Sequence, residues 1–452
     1  MQHFDLVIIG AGSGNTMLTP FFDELKVAIV ERDLFGGTCM NRGCIPSKMF
    51  VYAADVAEIA RRGPRLGVET RFTGADWPAI RDRVFDRIDP IAIAGEEYRV
   101  NSANVTVFKS TGRFIGHKRL AVGDDIITGD HIVIAAGSRA RMPMAEGFDQ
   151  LRYHTSDTIM RLDRLPDHLL IMGGGYIASE MAHVFGSLGS HVTIVHRSPT
   201  LLRNEDDAIA MRFTEIYRRR FEVLTSTQVL AAREVDGVTE LDISIDGDHQ
   251  QLRGDCLLIA VGRIPNGDEL EVTATGVTLD GAGFVETDDR LRTAVDGIWA
   301  LGDITNPAML KHTANAEAKL IAHNIEHPQS MKQIERRFVP HAVFGHPQVA
   351  SVGSTERELR DRNVPYVVSQ RDYADTAYGW AMEDTESFCK LLAHRETRQL
   401  LGAHIIGPQA STLLQQLVQG MRFGQTVDEM ATEQLYTHPA LNEVVEQALL
   451  DL

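Results

Sequence analysis

The sequence predicts an α/β protein with two mostly parallel-sheet domains and a third, α+β domain at its C-terminal end. Three observations predict it. A short apolar strand runs into a glycine loop at 6–15, and the same strand-and-glycine pattern returns at 169–178. From Arg337 onward strands and helices alternate without such a loop. A chain of 452 residues has length for about three domains of ordinary size.

The first strand, Leu6-Val7-Ile8-Ile9, leads into Gly10-Ala11-Gly12-Ser13-Gly14-Asn15 and then an expected helix. A second strand, Val27-Ala28-Ile29-Val30, ends in Glu31, about 20 residues after Gly10. This is the dinucleotide fingerprint: a tight turn, close backbone approach to a pyrophosphate, and an acid for the ribose diol. Asn15 stands where the third glycine is expected, so close helix–strand packing is the point at issue there.

The next stretch is Gly36-Gly37-Thr38-Cys39-Met40-Asn41-Arg42-Gly43-Cys44-Ile45-Pro46-Ser47-Lys48. Pro46 suits the first turn of a helix, which puts Cys44 at or just before a helix N-terminus, where a thiolate is favoured. Zinc is one reading, but it wants about four clustered ligands, and Cys256 and Cys389 stand apart from any pair. A structural disulfide is another, and it needs an oxidising compartment. The third is a dithiol/disulfide relay with Cys44 as the buried, charge-stabilised sulfur and Cys39 as the accessible one. The flanking nucleotide signals favour the third.

Residues 50–101 read as helical, and 105–127 as short strands of a mostly antiparallel meander. The segment 131–137 is a strand ending in small residues. The second fingerprint follows at Gly173-Gly174-Gly175-Tyr176-Ile177-Ala178. Its second strand, 191–195, ends in His196 and Arg197 with Arg203 close behind, and no acid. An acid would repel a 2′-phosphate and arginines bind it, which predicts NADP over NAD. The strand 256–260 ends in Val261-Gly262-Arg263 and the strand 298–301 in Gly302-Asp303. In the last domain, strands are expected at 339–344, 349–352, 388–393 and 401–406, with helices at 355–362 and 411–423. His438 lies near the C-terminal end with Glu443 five residues on, a proton carrier and a carboxylate to hold its ring.

The net charge is −17, which disfavours nucleic acid and anionic membrane as partners. No apolar run reaches the ~18–20 residues of a membrane span. Met1 to Phe4 lead straight into a strand with no basic leader. A soluble cytoplasmic protein is the expectation.

These pieces together resemble the flavin-dependent pyridine nucleotide-disulfide reductases, the group of glutathione reductase and dihydrolipoamide dehydrogenase. The resemblance runs the length of the chain. It is carried by Phe35-Gly36-Gly37-Thr38-Cys39, Ile45-Pro46-Ser47-Lys48-Met49-Phe50-Val51-Tyr52, Tyr378-Gly379-Trp380-Ala381-Met382-Glu383-Asp384 and His438-Pro439-Ala440-Leu441. It implies two Rossmann-like dinucleotide-binding domains plus an α+β dimerisation domain: FAD at 1–143 and 264–336, NADP at 144–263, and a homodimer interface at 337–452. FAD would lie along Gly10, Gly12, Ser13, Gly14, Asn15, Glu31, Gly37, Thr38, Lys48, Gly112, Ala136, Gly137, Gly302 and Asp303. Lys311 and His312 replace a Thr-Pro pair of relatives beside the flavin ring. Lys48 and Glu180 match an ion pair beside the flavin's reactive nitrogen, and Tyr176 a cover over the nicotinamide pocket. Gly173, Gly175, Ile177, Arg197, Arg203, Gly262 and Arg263 complete the NADP contacts.

The implied reaction passes electrons from NADPH through FAD to a Cys39–Cys44 disulfide, with Cys44 nearer the flavin. Cys39 attacks the substrate disulfide, and His438 of the other subunit, oriented by Glu443, protonates the leaving thiol. Within the family the likeness is to members that reduce mycothione, the disulfide of mycothiol. The segment 15–22 also offers no basic side chain to the carboxylates of glutathione disulfide. Two other readings are an NAD-dependent dihydrolipoamide dehydrogenase, against which Arg197 argues, and a non-catalytic flavoprotein subunit, which would need neither Cys39/Cys44 nor His438/Glu443.

Overall fold

In the computed structural model, which describes residues 1–452, the first sheet takes in the apolar runs Leu6-Val7-Ile8-Ile9 and Val27-Ala28-Ile29-Val30. Val105–Phe108, Val27–Val30, Gln2–Ile9 and Asp125–Ile134, the last paired from Ile127 onward, run parallel in that order. Ile298–Ala300 adds a further parallel strand against Ile132, Val133 and Ile134. The first half of Asp125–Ile134 turns into an antiparallel meander with Arg119–Val122 and Gly112–Gly116. The expected meander therefore begins later than the sequence suggested. Val105–Phe108 belongs to the parallel sheet, as its edge.

The chain leaves this sheet after Ile134 and returns at Ile298. Between the two lies a second parallel sheet, Glu222–Leu224, His191–Val195, His168–Met172 and Cys256–Ile259. A three-stranded antiparallel sheet, Thr227–Val235, Val238–Ile245 and Asp248–Gly254, packs beside it. The two passages between the sheets, Ser138–Ala140 and Arg263–Pro265, pair with each other. The C-terminal part is a five-stranded antiparallel sheet, from His341–Val343 to Tyr366–Asp372, covered by Ala410–Phe423 and Asn442–Leu450.

Two helical expectations change. The glycine loop 10–15 is followed by two 3-10 segments, Gly14–Met17 and Pro20–Glu24, and no α-helix. Pro20 is the reason: it forces Thr19 into an extended conformation (φ −95°, ψ 171°), which interrupts any helix begun at Gly14. The run 50–101 is two helices, Cys44–Arg62 and Trp77–Val100, parted at Gly63-Pro64 and restarted by the Asp76 side chain, which caps Ala79 N–H at 3.0 Å.

Close packing at the first glycine loop rests on Gly14. A Cβ there would lie 2.6 Å from the Ala135 side chain and 3.1 Å from Ile8. Asn15 points the other way and accepts from Arg99 Nε at 2.8 Å. The two glycine loops follow one plan: a Cβ on Gly10 would meet the Ala135 carbonyl oxygen at 2.4 Å, and one on Gly173 the Ala260 carbonyl oxygen at 2.2 Å. No helix is long and apolar enough to cross a membrane.

Candidate active site

Gly36 and Gly37 both have positive φ and turn the chain into a short helix, Gly37–Asn41, that holds Cys39. Asn41 clamps this turn from inside: buried, it donates to Phe35 O at 2.9 Å and Gly37 O at 3.1 Å. No sequence motif marks it, because its partners are backbone carbonyls. Gly43 then breaks the chain and Cys44 opens the 19-residue helix Cys44–Arg62.

Both cysteines are free thiols in contact with each other. The hydrogen bond from Cys39 draws the Cys44 thiol down to about 7, against burial and with help from the Lys48 ammonium. The same hydrogen bond keeps the proton on Cys39, whose thiol is raised. Cys44 is thus the thiolate side of the pair, as its place on a helix N-terminus requires. Its accessibility differs from the expectation: the Cys44 residue is the more exposed of the two and Cys39 is half-buried, although the Cys44 sulfur itself is partly desolvated. The physical reason is that Cys44 faces a cavity of ≈ 510 Å³ lined with Ile45, Lys48, Met49, Tyr52 and Arg83. Arg83 comes from the helix Trp77–Val100, so the absence of bases in 15–22 does not make the dithiol's surroundings free of them.

One turn beyond Cys44, Lys48 Nζ reaches both carboxylate oxygens of Glu180 at 2.7 Å. The Glu180 side chain is 5% exposed and also accepts from Phe344 N–H at 3.0 Å, while Lys48 lies over the Phe344 ring. One turn along from Glu180, His183 is fully buried and bonds Asp55 of the dithiol helix at 2.8 Å. That contact fixes the two helices against each other.

At the first glycine loop, Gly12 and Gly37 approach so closely that a Cβ on Gly37 would lie 2.8 Å from Gly12 Cα. Glu31 is held by Ala11 N–H at 2.7 Å and Asp33 N–H at 2.8 Å. Lys311 Nζ donates to Ser13 Oγ at 2.8 Å. His312 is exposed, next to it on the same helix. Asp303 accepts from Ser138 Oγ at 2.7 Å, and Ser138 in turn accepts from Arg263 Nε at 2.8 Å. Gly302 N–H donates to the buried Glu317 at 2.7 Å. The Ala136 carbonyl accepts from Asn266 at 2.8 Å and Gly137 has positive φ (66°). Gly112 packs between Val30 and Leu120 and is core as much as surface. Backbone closeness without side chains, an acid at the strand end and a cation at the loop suit a dinucleotide bearing a diphosphate.

In the second unit, Tyr176 opens the helix Tyr176–Leu188 directly after Gly175, followed by Ile177. A Cβ on Gly174 would press into the His196 ring, so His196 floors this loop, whereas in the sequence it stands out only as the residue replacing an acid. Arg197 and Arg203 are exposed on the same side, and both act by charge on His196. Gly262, with φ 123°, opens the return strand that begins at Arg263.

His438 Nδ1 is hydrogen-bonded to Glu443 Oε1, and the imidazole is 71% exposed. The other Glu443 oxygen is buried with no partner. This pair sits on the C-terminal domain, where Asn442–Leu450 packs on the five-stranded sheet, and His438 is not among the residues lining the cavity at Cys44.

Comparison with known proteins agrees with this architecture. The model of the pyridine nucleotide-disulphide oxidoreductase family matches residues 4–318, and that of its dimerisation domain matches 339–449. Mycothione reductase of Mycobacterium tuberculosis is 44% identical over 463 aligned positions, covering 100% of both chains. Dihydrolipoyl dehydrogenase of Chlamydia pneumoniae is 31% identical, over 99% of this chain and 97% of the other. Among solved structures, the HOCl-induced flavoprotein disulfide reductase RclA from Escherichia coli superposes with a TM-score of 0.87 at 26% identity, over 99% of each chain. The chain is a member of the pyridine nucleotide-disulphide oxidoreductase family.

Proposed function

We propose that this protein is an NADPH-dependent flavoprotein disulfide reductase acting on mycothione. The observation that carries the reductase reading is the Cys39/Cys44 pair, with its low-pKa sulfur at a helix start one turn from the Lys48–Glu180 ion pair. The substrate rests on the full-length similarity to mycothione reductase.

FAD would be held by the 10–15 loop, Glu31, Gly37-Thr38, Ala136-Gly137 and Asp303, and when bound it supplies the two-electron relay between NADPH and the dithiol. NADPH would lie on the 173–178 loop under Tyr176, with Arg197 and Arg203 on its 2′-phosphate. Lys48 orients and charge-balances the flavin side of Cys44. In the dithiol half of the reaction, His438 of the partner subunit takes the Cys39 proton. The Cys39 sulfur attacks one sulfur of the substrate, and the first thiol leaves with that proton. The Cys44 thiolate then attacks Cys39 in the mixed disulfide, which expels the second half as a thiolate, protonated from solvent, and closes Cys39–Cys44. Two electrons leave the dithiol and one S–S bond of the substrate is broken.

A site shared across a homodimer is supported by an exposed apolar stripe on the dithiol helix. Ile45, Tyr52, Val56 and Ile59 all face outward, with Tyr52 70% exposed, beside the cavity at Cys44. Such an enzyme serves the cytoplasm, where thiols are kept reduced, and its role there is redox homeostasis.

The test is a steady-state panel of mycothione, glutathione disulfide and lipoamide at fixed NADPH. The highest kcat/KM is expected for mycothione. A higher value for another disulfide overturns the substrate, and no turnover of any disulfide overturns the enzyme reading.

A further inference from the structure

The starts of three neighbouring strands in the second parallel sheet bring two imidazoles and a carboxylate together. His168, His191 and Glu222 are the first residues of His168–Met172, His191–Val195 and Glu222–Leu224. His168 and His191 are direct partners in the parallel register. Adjacent strands lie about 4.8 Å apart, and the two rings stand side by side with centroids 4.2 Å apart. Glu222 is the register partner of Thr193, which lies two residues along from His191 and so on the same face. A nitrogen from each ring and one Glu222 oxygen lie within 4.8 Å of one another. The 173–178 loop leaves the opposite end of this sheet, so the cluster is separate from the coenzyme loop and the dithiol.

Thr193, fully buried, orients the group from behind. Its hydroxyl lies 2.6 Å from Glu222 Oε2 and 2.8 Å from His168 Nε2. The single hydroxyl proton goes to Glu222, so His168 Nε2–H donates to the oxygen and Nδ1 keeps its lone pair. A metal-binding imidazole is ordinarily fixed in this way, by a hydrogen bond at its other nitrogen. Burial, and then the neighbouring His191, hold the His168 imidazole below its usual value, which keeps it neutral and free to coordinate. Of the arginines beside His191, Arg219 and Arg220 are ion-paired with Glu386 and Glu58, and Arg218 turns to Thr225. A second group of the same kind, Asp55, His183 and His346, suits a cation less well. There Arg220 donates to His183 Nδ1 and to the His346 carbonyl, which puts a fixed positive charge inside the group.

We propose that His168, His191 and Glu222 form a site for one divalent cation of the Zn²⁺ type per subunit, with water completing the coordination. Two imidazoles and a carboxylate suit Zn²⁺, Ni²⁺ or Cu²⁺, whereas Mg²⁺ and Ca²⁺ call for oxygen ligands. The ion ties together the starts of three adjacent strands and so stabilises the second parallel sheet.

The experiment dialyses untagged, chelator-stripped holoenzyme against Zn²⁺ in its oxidised form, where a closed Cys39–Cys44 disulfide cannot take the metal. Wild type is compared with His191→Gln, Glu222→Gln and Thr193→Val, and with His346→Gln for the second group. His191 and Glu222 are exposed, so their variants should fold. Wild type should bind one Zn²⁺ per subunit at this site, and its thermal midpoint should rise with Zn²⁺. Thr193→Val keeps all three ligands and should weaken binding by about ten- to a hundredfold. His191→Gln and Glu222→Gln should lose more and should abolish the thermal shift. With Cu²⁺ as the probe, electron spin resonance should show coupling to two ring nitrogens in wild type and to one in His191→Gln. Zn²⁺ binding that is unchanged in both His191→Gln and Glu222→Gln overturns the inference. Binding that is lost in His346→Gln and kept in His191→Gln also overturns it, and assigns the metal to the second group.

Discussion

Lys48 and Glu180, 132 residues apart in the chain, meet with Lys48 Nζ 2.7 Å from both carboxylate oxygens. The pair ties the dithiol helix of the first unit to the glycine-loop helix of the second. Breaking it by Lys48→Met leaves the buried Glu180 carboxylate with the Phe344 N–H as its remaining partner. A fully buried pair would cost about 3–5 kcal/mol, but the Lys48 side chain is 35% exposed, so about 2 kcal/mol is expected. Urea unfolding measures this. Anaerobic reduction by NADPH should slow as well, and an unchanged reduction rate would remove Lys48 from the flavin side.

The dithiol should titrate through Cys44. Its thiol is drawn to about 7, first by the Cys39 hydrogen bond and then by Lys48. Thiolate forms as pH rises, so the long-wavelength charge-transfer absorbance of the reduced enzyme should grow with pH, with a midpoint near 7. Cys39→Ala removes the largest of these causes and should move the midpoint upward while the band survives. Cys44→Ser should abolish the band. A band that persists in Cys44→Ser would exchange the two roles.

What could be read from the sequence was what is local. Gly10 and Gly173 announce themselves because a strand and a turn precede close backbone contacts, and the Cys39/Cys44 spacing needs only a loop and a helix start. Pro20 was visible too, but its effect on Thr19 outweighs the helical expectation that glycine loops carry. The hidden parts depend on long-range pairing. Glu180 finds Phe344 N–H, Asp303 finds Ser138, and Arg83 faces Cys44 from another helix. No spacing in the sequence encodes those meetings. The meander over 227–254 escaped for a different reason: its outer strand Asp248–Gly254 is polar throughout most of its length and shows no apolar alternation.

Coenzyme choice should lie in Arg197 and Arg203, which are exposed beside the 173–178 loop and engaged in no ion pair. Each charge-assisted contact to a 2′-phosphate is worth about 1.5–3 kcal/mol. Arg197→Ala and Arg203→Ala should therefore each lower the NADPH-over-NADH preference by about ten- to a hundredfold, read as the ratio of kcat/KM values. Equal losses for both coenzymes would mean that the arginines do not read the phosphate.

His438 and Glu443 should act only across the dimer. The pair lies on the C-terminal domain, the imidazole is mostly exposed, and it is absent from the cavity at Cys44 within its own chain. Cys39→Ser and His438→Ala homodimers should each be inactive in disulfide turnover. A mixed dimer of the two has one site with both lesions and one with neither. Random exchange of subunits makes about half of the dimers mixed, each with one of its two sites intact, so about a quarter of wild-type activity should return. Glu443→Gln keeps the shape but removes the charge that stabilises a protonated His438. It should lower kcat for disulfide turnover while FAD stays bound. If the mixed dimers stay inactive while each variant is folded and holds FAD, His438 belongs to its own subunit's chemistry or to none.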